Sequence, residues 1–276
     1  MRALYVDLDG TLLGKGASLF HDGEGAFTLL GARALEACAR AGAEVIIYSG
    51  RRHAQVFEDA RLIGARSFIF EAGSGLVVDG ETTWLTGDLQ PTPERTIHEL
   101  IGAMGAPEML LERFAGQLEY HDPWHRDRDV SHLFRGRVDP FEAEAALRDG
   151  GFDTLRLVDN GAIPRDRSDT LPGLRGIHAY HLVPAVASKA RAVAEHMRAR
   201  GLAAPDAIAA GDSREDLGAA DVVGTFWMMR NALEKDPTLR EDVARHANVR
   251  VSEERYGAGV YEAVITTLAE RRTARA

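Results

Sequence analysis

The chain has 276 residues, 45% of them hydrophobic, so it can build one large domain or two smaller ones with full cores, and wholesale disorder is excluded. Its formal net charge is −9, which argues against nucleic acid or an anionic membrane as a partner, since both need a basic face. A local basic pocket for a small anion remains compatible with that charge. A single cysteine, Cys38, rules out an intrachain disulfide and points to a reducing cytoplasm. Cys38 lies in the apolar stretch 34–41 and reads as a core residue. The N-terminus runs directly into a strand with no signal-peptide pattern, and no stretch reaches membrane-spanning length. The basic residues are almost all arginine, with lysine only at Lys15, Lys189 and Lys235. A lysine kept against that background suggests a need for a compact point charge.

In chain order, the apolar run 3–6 reads as a buried strand that ends in Asp7-Leu8-Asp9-Gly10-Thr11. In an extended chain residues two apart share a side, so Asp7 and Asp9 are placed to converge. A polar, Gly-rich loop covers 14–25. Thr28–Ala41 has helical spacing with Gly42 as a stop. Glu44–Tyr48 is a second buried strand, ending in Ser49-Gly50-Arg51-Arg52, and a helix follows from His53 to Leu62. Ser67–Phe70 is a third strand, followed by Glu71-Ala72-Gly73. Leu76–Val78 and Thr82–Leu85 form a hairpin around Asp79-Gly80. This alternation predicts a parallel sheet with right-handed crossovers.

The pattern then changes. Pro91–Met104 reads as helix, and Glu112–Ala115, Gln117–His121, Ser131–Arg137 and Arg156–Val158 as short strands around a helix at Pro140–Leu147. We read an α/β protein with a Rossmann-like parallel-sheet core and an inserted α+β domain: core residues 1–87, insert 88–184, core 185–276. After the insert, Val186–Arg200 is an amphipathic helix carrying Lys189. Ala207–Ala210 is a buried strand ending in Gly211-Asp212-Ser213-Arg214-Glu215-Asp216. Val222-Val223 and Phe226–Met229 read as strands, then come Asn231-Ala232 and a terminal helix, Tyr261–Arg271.

Three buried strands thus end in polar residues: Asp7 and Asp9, Ser49, and Asp212 with Asp216. Ligands of open α/β sheets bind outside the carboxyl ends of the strands, so the three clusters are candidates for one crevice. Its acids suit a hard cation such as Mg²⁺, and its lysine, hydroxyl and backbone N–H groups suit a phosphate. Together they fit phosphoryl transfer. Taken singly, each has a plainer reading: an Asp-Gly turn, helix caps at Ser49, Asp212 and Asp216, a solvated Lys189. Other motifs fail. A calcium loop from Asp7 would need Gly and Glu where Leu12 and Ser18 stand, and a dinucleotide fingerprint would need Gly where Leu19 stands. His121, His125 and Asp127 have ligand-like spacing, but Pro123 breaks a helix there.

These residues resemble the haloacid dehalogenase superfamily of phosphohydrolases. Asp7-Leu8-Asp9-Gly10-Thr11 matches its first motif, Ser49 with Gly50-Arg51 its second, Lys189 its third, and Gly211-Asp212-Ser213-Arg214-Glu215-Asp216 its fourth. Glu71-Ala72-Gly73 and Asn231-Ala232 resemble segments of its Cof-type branch, which includes sucrose- and mannosylglycerate-phosphate phosphatases and carries its cap between motifs two and three. The resemblance implies Asp7 as nucleophile forming an aspartyl-phosphate, and Asp9 as general acid and base. It implies Mg²⁺ held by Asp7, the backbone carbonyl of Asp9, and Asp212, with Asp216 in support, and Lys189 offsetting charge on Asp7. Ser49, Gly50, Thr11 and Lys189 would bind the phosphoryl group. The substrate would be a small phosphate ester, most plausibly a sugar phosphate, with cap candidates His125, Arg126, Arg135 and Arg165 selected by residue type. A phosphotransferase or mutase of the same superfamily is the alternative enzyme, and a catalytically silent binding protein the alternative class. Two positions depart from the pattern: Glu215 and Ala72 stand where relatives often carry Asn.

Overall fold

The structure, a computed structural model, describes residues 1–163, 171 and 173–273. The chain begins with β1 (Ala3–Val6), α1 (Leu30–Arg40), β2 (Glu44–Tyr48), α2 (His53–Ile63), β3 (Ser67–Phe70), β4 (Gly75–Val78) and β5 (Glu81–Trp84). It continues through α3 (Ile97–Met104), α4 (Ala106–Arg113), β6 (Leu118–Tyr120), β7 (His132–Gly136), α5 (Pro140–Asp149), β8 (Leu155–Ala162) and β9 (His178–Pro184). The last part holds α6 (Lys189–Arg200), β10 (Ala207–Gly211), α7 (Arg214–Leu217), β11 (Thr225–Met228), α8 (Arg230–Lys235), α9 (Leu239–Val243), β12 (Val249–Val251) and α10 (Tyr256–Thr273).

Eight strands form one sheet in the order β12-β11-β10-β1-β2-β3-β4-β5. From β12 to β3 all neighbours are parallel, and the β4–β5 hairpin adds an antiparallel edge. The alternation of side chains along β1 shows how the sheet is covered. Leu4 and Val6 pack with Ala34, Cys38, Val56 and Val264 of α1, α2 and α10, while Ala3 and Tyr5 pack with Ala192, Val193 and Met197 of α6. A sheet buried on both faces needs strands that are apolar throughout, which is why β1, β2 and β10 read as continuous runs. Cys38 is fully buried in this core, and that burial pushes its thiol up to about 12. Among the described residues no helix is long and apolar enough to cross a membrane.

The second sheet, β6-β7-β9-β8, is antiparallel and lies between β5 and α6 in sequence, so the α/β core carries an inserted α+β cap. Its core joins Ile97, Ile101 and Leu110 of α3 and α4 to Phe134, Leu157, Tyr180 and Leu182 of the sheet. The structure departs from the sequence reading here. Helix α3 starts at Ile97 rather than Pro91, because Thr96 forms a reciprocal cap with Glu99. The segment Glu112–Ala115 is the end of α4 and the turn after it, not a strand. Strand β9, absent from the reading, is central in the cap sheet. In the core, Val222-Val223 lies after a helical turn at Gly218–Asp221 and is not a strand, while the short edge strand β12 was not anticipated. The terminal helix begins at Tyr256, one turn before Tyr261.

Candidate active site

Strand β1 lies between β10 and β2, and all three run parallel. Their carboxyl ends therefore share one edge of the sheet, and Asp7, Ser49 and Asp212, far apart in sequence, come out side by side. Asp7 is buried at 5% exposure and Lys189 at 1%. Lys189 Nζ donates to Asp7 Oδ1 at 2.9 Å and to Asp216 Oδ1 at 2.6 Å. Asp216 Oδ2 accepts from the backbone N–H groups of Asp212 and Ser213 and from Ser213 Oγ. Both oxygens of Asp216 are thus occupied in pinning the loop after β10 and holding Lys189. Among the described residues Asp7 Oδ2 accepts no hydrogen bond. Asp212 receives two long contacts, from Thr11 Oγ1 and Lys235 Nζ, each at 3.4 Å.

Carboxylate oxygens of Asp7, Asp212 and Asp216 all lie within 4.8 Å of one another. Burial pushes the Asp7 carboxyl well above its usual range; Lys189 pulls it down, and Asp216 and Asp212 push it up again. Burial likewise raises Asp212 to about 6, against the pull of Lys235. Burial alone would lower the Lys189 ammonium, but Asp216 and Asp7 outweigh it and hold it above its ordinary range. One buried ammonium against three carboxylates leaves negative charge uncompensated. The donors are all oxygens, and those of Asp7 and Asp212 have spare capacity, so the set fits a hard, oxygen-seeking cation. Gly10 makes room for it: at φ +90°, a Cβ there would fall 2.1 Å from Asp212 Oδ2. Asn231 Nδ2 holds the Gly10 carbonyl at 2.8 Å.

A cavity of about 800 Å³ opens over Asp7. Asp7, Asp9, Gly10, Ser49 and Gly50 line it from the core. Thr11, Lys189 and Asp216 lie behind them, and none of the three lines the cavity. Asp9 does not converge with Asp7. The strand ends at Val6, so two-residue alternation no longer governs, and the Asp9 carboxylate, 56% exposed, pairs with both Nε and Nη2 of Arg51 at 2.7 and 2.8 Å. Arg51 also reaches Asp59 at 2.8 Å. Ser49 Oγ accepts from the Arg51 backbone N–H at 3.3 Å. Gly50 meets the cap: a Cβ there would lie 2.7 Å from His181 Nε2.

The cap wall consists of His121, Trp124, Arg128, Leu133, Asn160, Ala162, Ile163, Ala179 and His181. None of these was selected from sequence as a cap ligand. His125, Arg126 and Arg135 do not line the cavity; they meet Tyr120, Asp122 and Glu119 respectively. Arg165 lies outside the described residues. His121, His125 and Asp127 form no metal cluster among the described residues, and Asp127 instead pairs with Arg52. The cap loop is latched to the core by Glu71. That buried carboxylate accepts from the backbone N–H groups of Asp129, Val130 and Ser131 and from Ser131 Oγ, at 2.6–3.1 Å. Arg128 completes the latch through the Gly50 carbonyl. The two positions that depart from the resemblance have visible consequences. Glu215 Oε1 accepts from Arg156 of β8 at 2.8 Å and from the Lys189 backbone N–H at 3.2 Å. Ala72 sits at φ 56°, a left-handed position that Asn occupies more readily.

No family model matches this chain. It is 27% identical to a phosphoglycolate phosphatase of Methanoculleus marisnigri, over 96% of this chain and 95% of the relative. It is 26% identical to a phosphoglycolate phosphatase of Methanothermobacter thermautotrophicus, over 96% and 97%. Among solved structures, it resembles the sucrose-phosphatase of Synechocystis with a TM-score of 0.66 at 15% identity, covering 97% of this chain and 98% of that one. A haloalkanoate dehalogenase superfamily phosphatase of Bacteroides thetaiotaomicron aligns with a TM-score of 0.64 at 16% identity, over 97% and 95%.

Proposed function

We propose that this chain, which belongs to the haloacid dehalogenase superfamily of phosphatases, in its Cof- and sucrose-phosphatase-like branch, hydrolyses small phosphate monoesters through a phosphoryl group carried on Asp7. The observation that carries the proposal is the buried Asp7–Lys189–Asp216 chain at the end of β1, which leaves Asp7 Oδ2 unbonded among the described residues at the floor of the cavity. Lys189 orients Asp7 through Oδ1 and offsets its charge, so that Oδ2 attacks an anionic ester. Asp9, at the exposed side of the floor, gives a proton to the leaving oxygen and later takes one from the attacking water. Release of Asp9 from Arg51 accompanies that role. Ser49 Oγ and the backbone around Gly10, Thr11 and Gly50 receive the phosphoryl oxygens. Asp7, Asp212 and the Asp9 carbonyl, with Asp216 in support, would hold Mg²⁺, which would supply positive charge beside the phosphoryl group.

Residues of the cap line the cavity opposite those of the core, an arrangement that suits a small phosphorylated metabolite. A sugar phosphate fits the sequence resemblance, whereas the names of both curated relatives favour phosphoglycolate. The test is free-phosphate release from a panel of sugar phosphates, phosphorylated hydroxy acids and nucleotides with and without Mg²⁺. Metal-dependent release from at least one small ester supports the reading. Formation of an isomeric phosphate ester without free phosphate would favour the phosphotransferase alternative, and no turnover of any ester would favour the silent binding protein.

A further inference from the structure

The chain has 33 basic residues, of which three are lysines. All three come to one place. Lys189 lies beneath Asp7, and Lys15 and Lys235 line the cavity above it. We infer that Lys15 and Lys235 form a second anion subsite, which takes a negative charge on the leaving part of the substrate. The inference rests on the phosphatase reading above and narrows it to phosphate esters whose alcohol carries a carboxylate or a second phosphate.

The two lysines belong to one strip of the core wall. Lys235 Nζ sits 5.5 Å from the centre of the Tyr256 ring. Tyr256 packs on Gly23, where a Cβ would fall 2.2 Å from its Cε2, and the stem of Lys15 packs on Gly25, where a Cβ would fall 3.1 Å from Lys15 Cδ. The cavity's arginines are already committed. Arg51 keeps its pairing with Asp59 when Asp9 is released, and Arg128 is held by Ser131 Oγ and the carbonyls of Trp124 and Gly50. The lysines are held less closely. Among the described residues, Lys15 Nζ donates to the Glu24 carbonyl at 3.5 Å and Lys235 Nζ pairs with Asp212 at 3.4 Å, both at the weak limit of hydrogen bonding. Each ammonium has three donors to offer. Asp7 lines the same cavity as Lys15 and Lys235 and as His121, Asn160 and His181, so the rest of an ester seated on Asp7 would share the cavity with both groups. A flexible, compact charge suits a carboxylate or phosphate whose position varies with the alcohol; a planar guanidinium fork would fix it.

The test compares matched esters: phosphoglycolate against ethyl phosphate, and propane-1,3-diyl bisphosphate against propyl phosphate. A charge-assisted contact at a partly exposed site predicts kcat/KM about tenfold higher for the charged member. The K15Q and K235Q substitutions together bring that ratio close to one. Preference for phosphoglycolate alone assigns the subsite to carboxylates, and preference in both pairs to anions generally. Equal kcat/KM within both pairs overturns the subsite while leaving the phosphatase reading intact. A second readout needs no turnover. With Lys189 buried, an amine-acylating reagent marks Lys15 and Lys235, and phosphoglycolate protects both in the peptide mass spectrum where ethyl phosphate does not. Hydrolysis of no ester would refute the phosphatase reading, and protection would then decide the subsite alone. Absence of protection overturns it.

Discussion

Replacing Lys189 by methionine removes a buried ammonium while keeping most of its stem. Lys189 holds Asp7 at 2.9 Å and Asp216 at 2.6 Å, and all three side chains are nearly sealed from water. Two hydrogen bonds between charged groups are lost, each worth about 1.5–3 kcal/mol. Removing one partner of a buried pair costs about 3–5 kcal/mol, because the remaining charge stays desolvated. Asp7 limits the loss by taking up a proton, so about 3–5 kcal/mol is the expected range. At about 2.1 cal/mol/K of unfolding entropy per residue, the 276 residues carry about 0.6 kcal/mol/K, and Tm falls by about 5–9 °C. Calorimetry at pH 7 and pH 5 reads the effect. Without the lysine, Asp7 binds a proton more readily in the folded state, so the deficit shrinks as pH falls. A Tm unchanged at pH 7, or a deficit that grows toward pH 5, would refute the assignment of Lys189 as the charge that opposes the effect of burial on Asp7.

Other perturbations separate the parts of the site. Gly10→Ala places a Cβ against Asp212 and forces a left-handed backbone on alanine; it should weaken Mg²⁺ binding about 10- to 100-fold by calorimetric titration, and unchanged affinity would contradict the role given to Asp212. Glu215→Asn, the residue relatives often carry there, gives up the ion pair with Arg156 and the Lys189 N–H contact; denaturation should show a loss of about 1–2 kcal/mol, small because Arg156 is partly exposed, and no loss would mean the pair does not tie β8 to α6. Burial and the neighbouring His98 lower His132 of the cap to about 4. A histidine held neutral contributes stability that is complete above its unfolded value near 6.5 and is lost as pH falls toward 4. The cap should therefore lose up to about 3 kcal/mol over that window, and His132→Gln should flatten the profile in a pH series of urea unfolding.

The core side of the candidate site was legible because its signals are local. Asp7, Ser49 and Asp212 each end an apolar run, and parallel order alone brings the ends of β1, β2 and β10 to one edge. What happens just past a strand end was not legible. Asp9 turns to Arg51 because the backbone has already left the extended state. The cap was read least well. His178–Pro184 mixes histidines and tyrosine with apolar residues and does not announce a central strand, and Asn160 and His181, which line the cavity, are fixed by which way β8 and β9 present them. Residue type alone did not place His125, Arg126 and Arg135, which do not line the cavity and each meet a partner within the cap. The scarcity of lysine is visible in the sequence, but it does not show that the three lysines share one place. That Lys15, from the first loop, and Lys235, from the end of α8, meet at the same cavity depends on the packing of Tyr256 against Gly23.

The central claim is that Asp7 carries the phosphoryl group. Acid quenching of the enzyme during turnover of a small ester with Mg²⁺, followed by peptide mass spectrometry, tests it most directly. A phosphoryl adduct on Asp7, absent from the Asp7→Asn variant, is the predicted result. An adduct on Asp9 or any other residue, or full turnover by the Asp7→Asn variant, would contradict it.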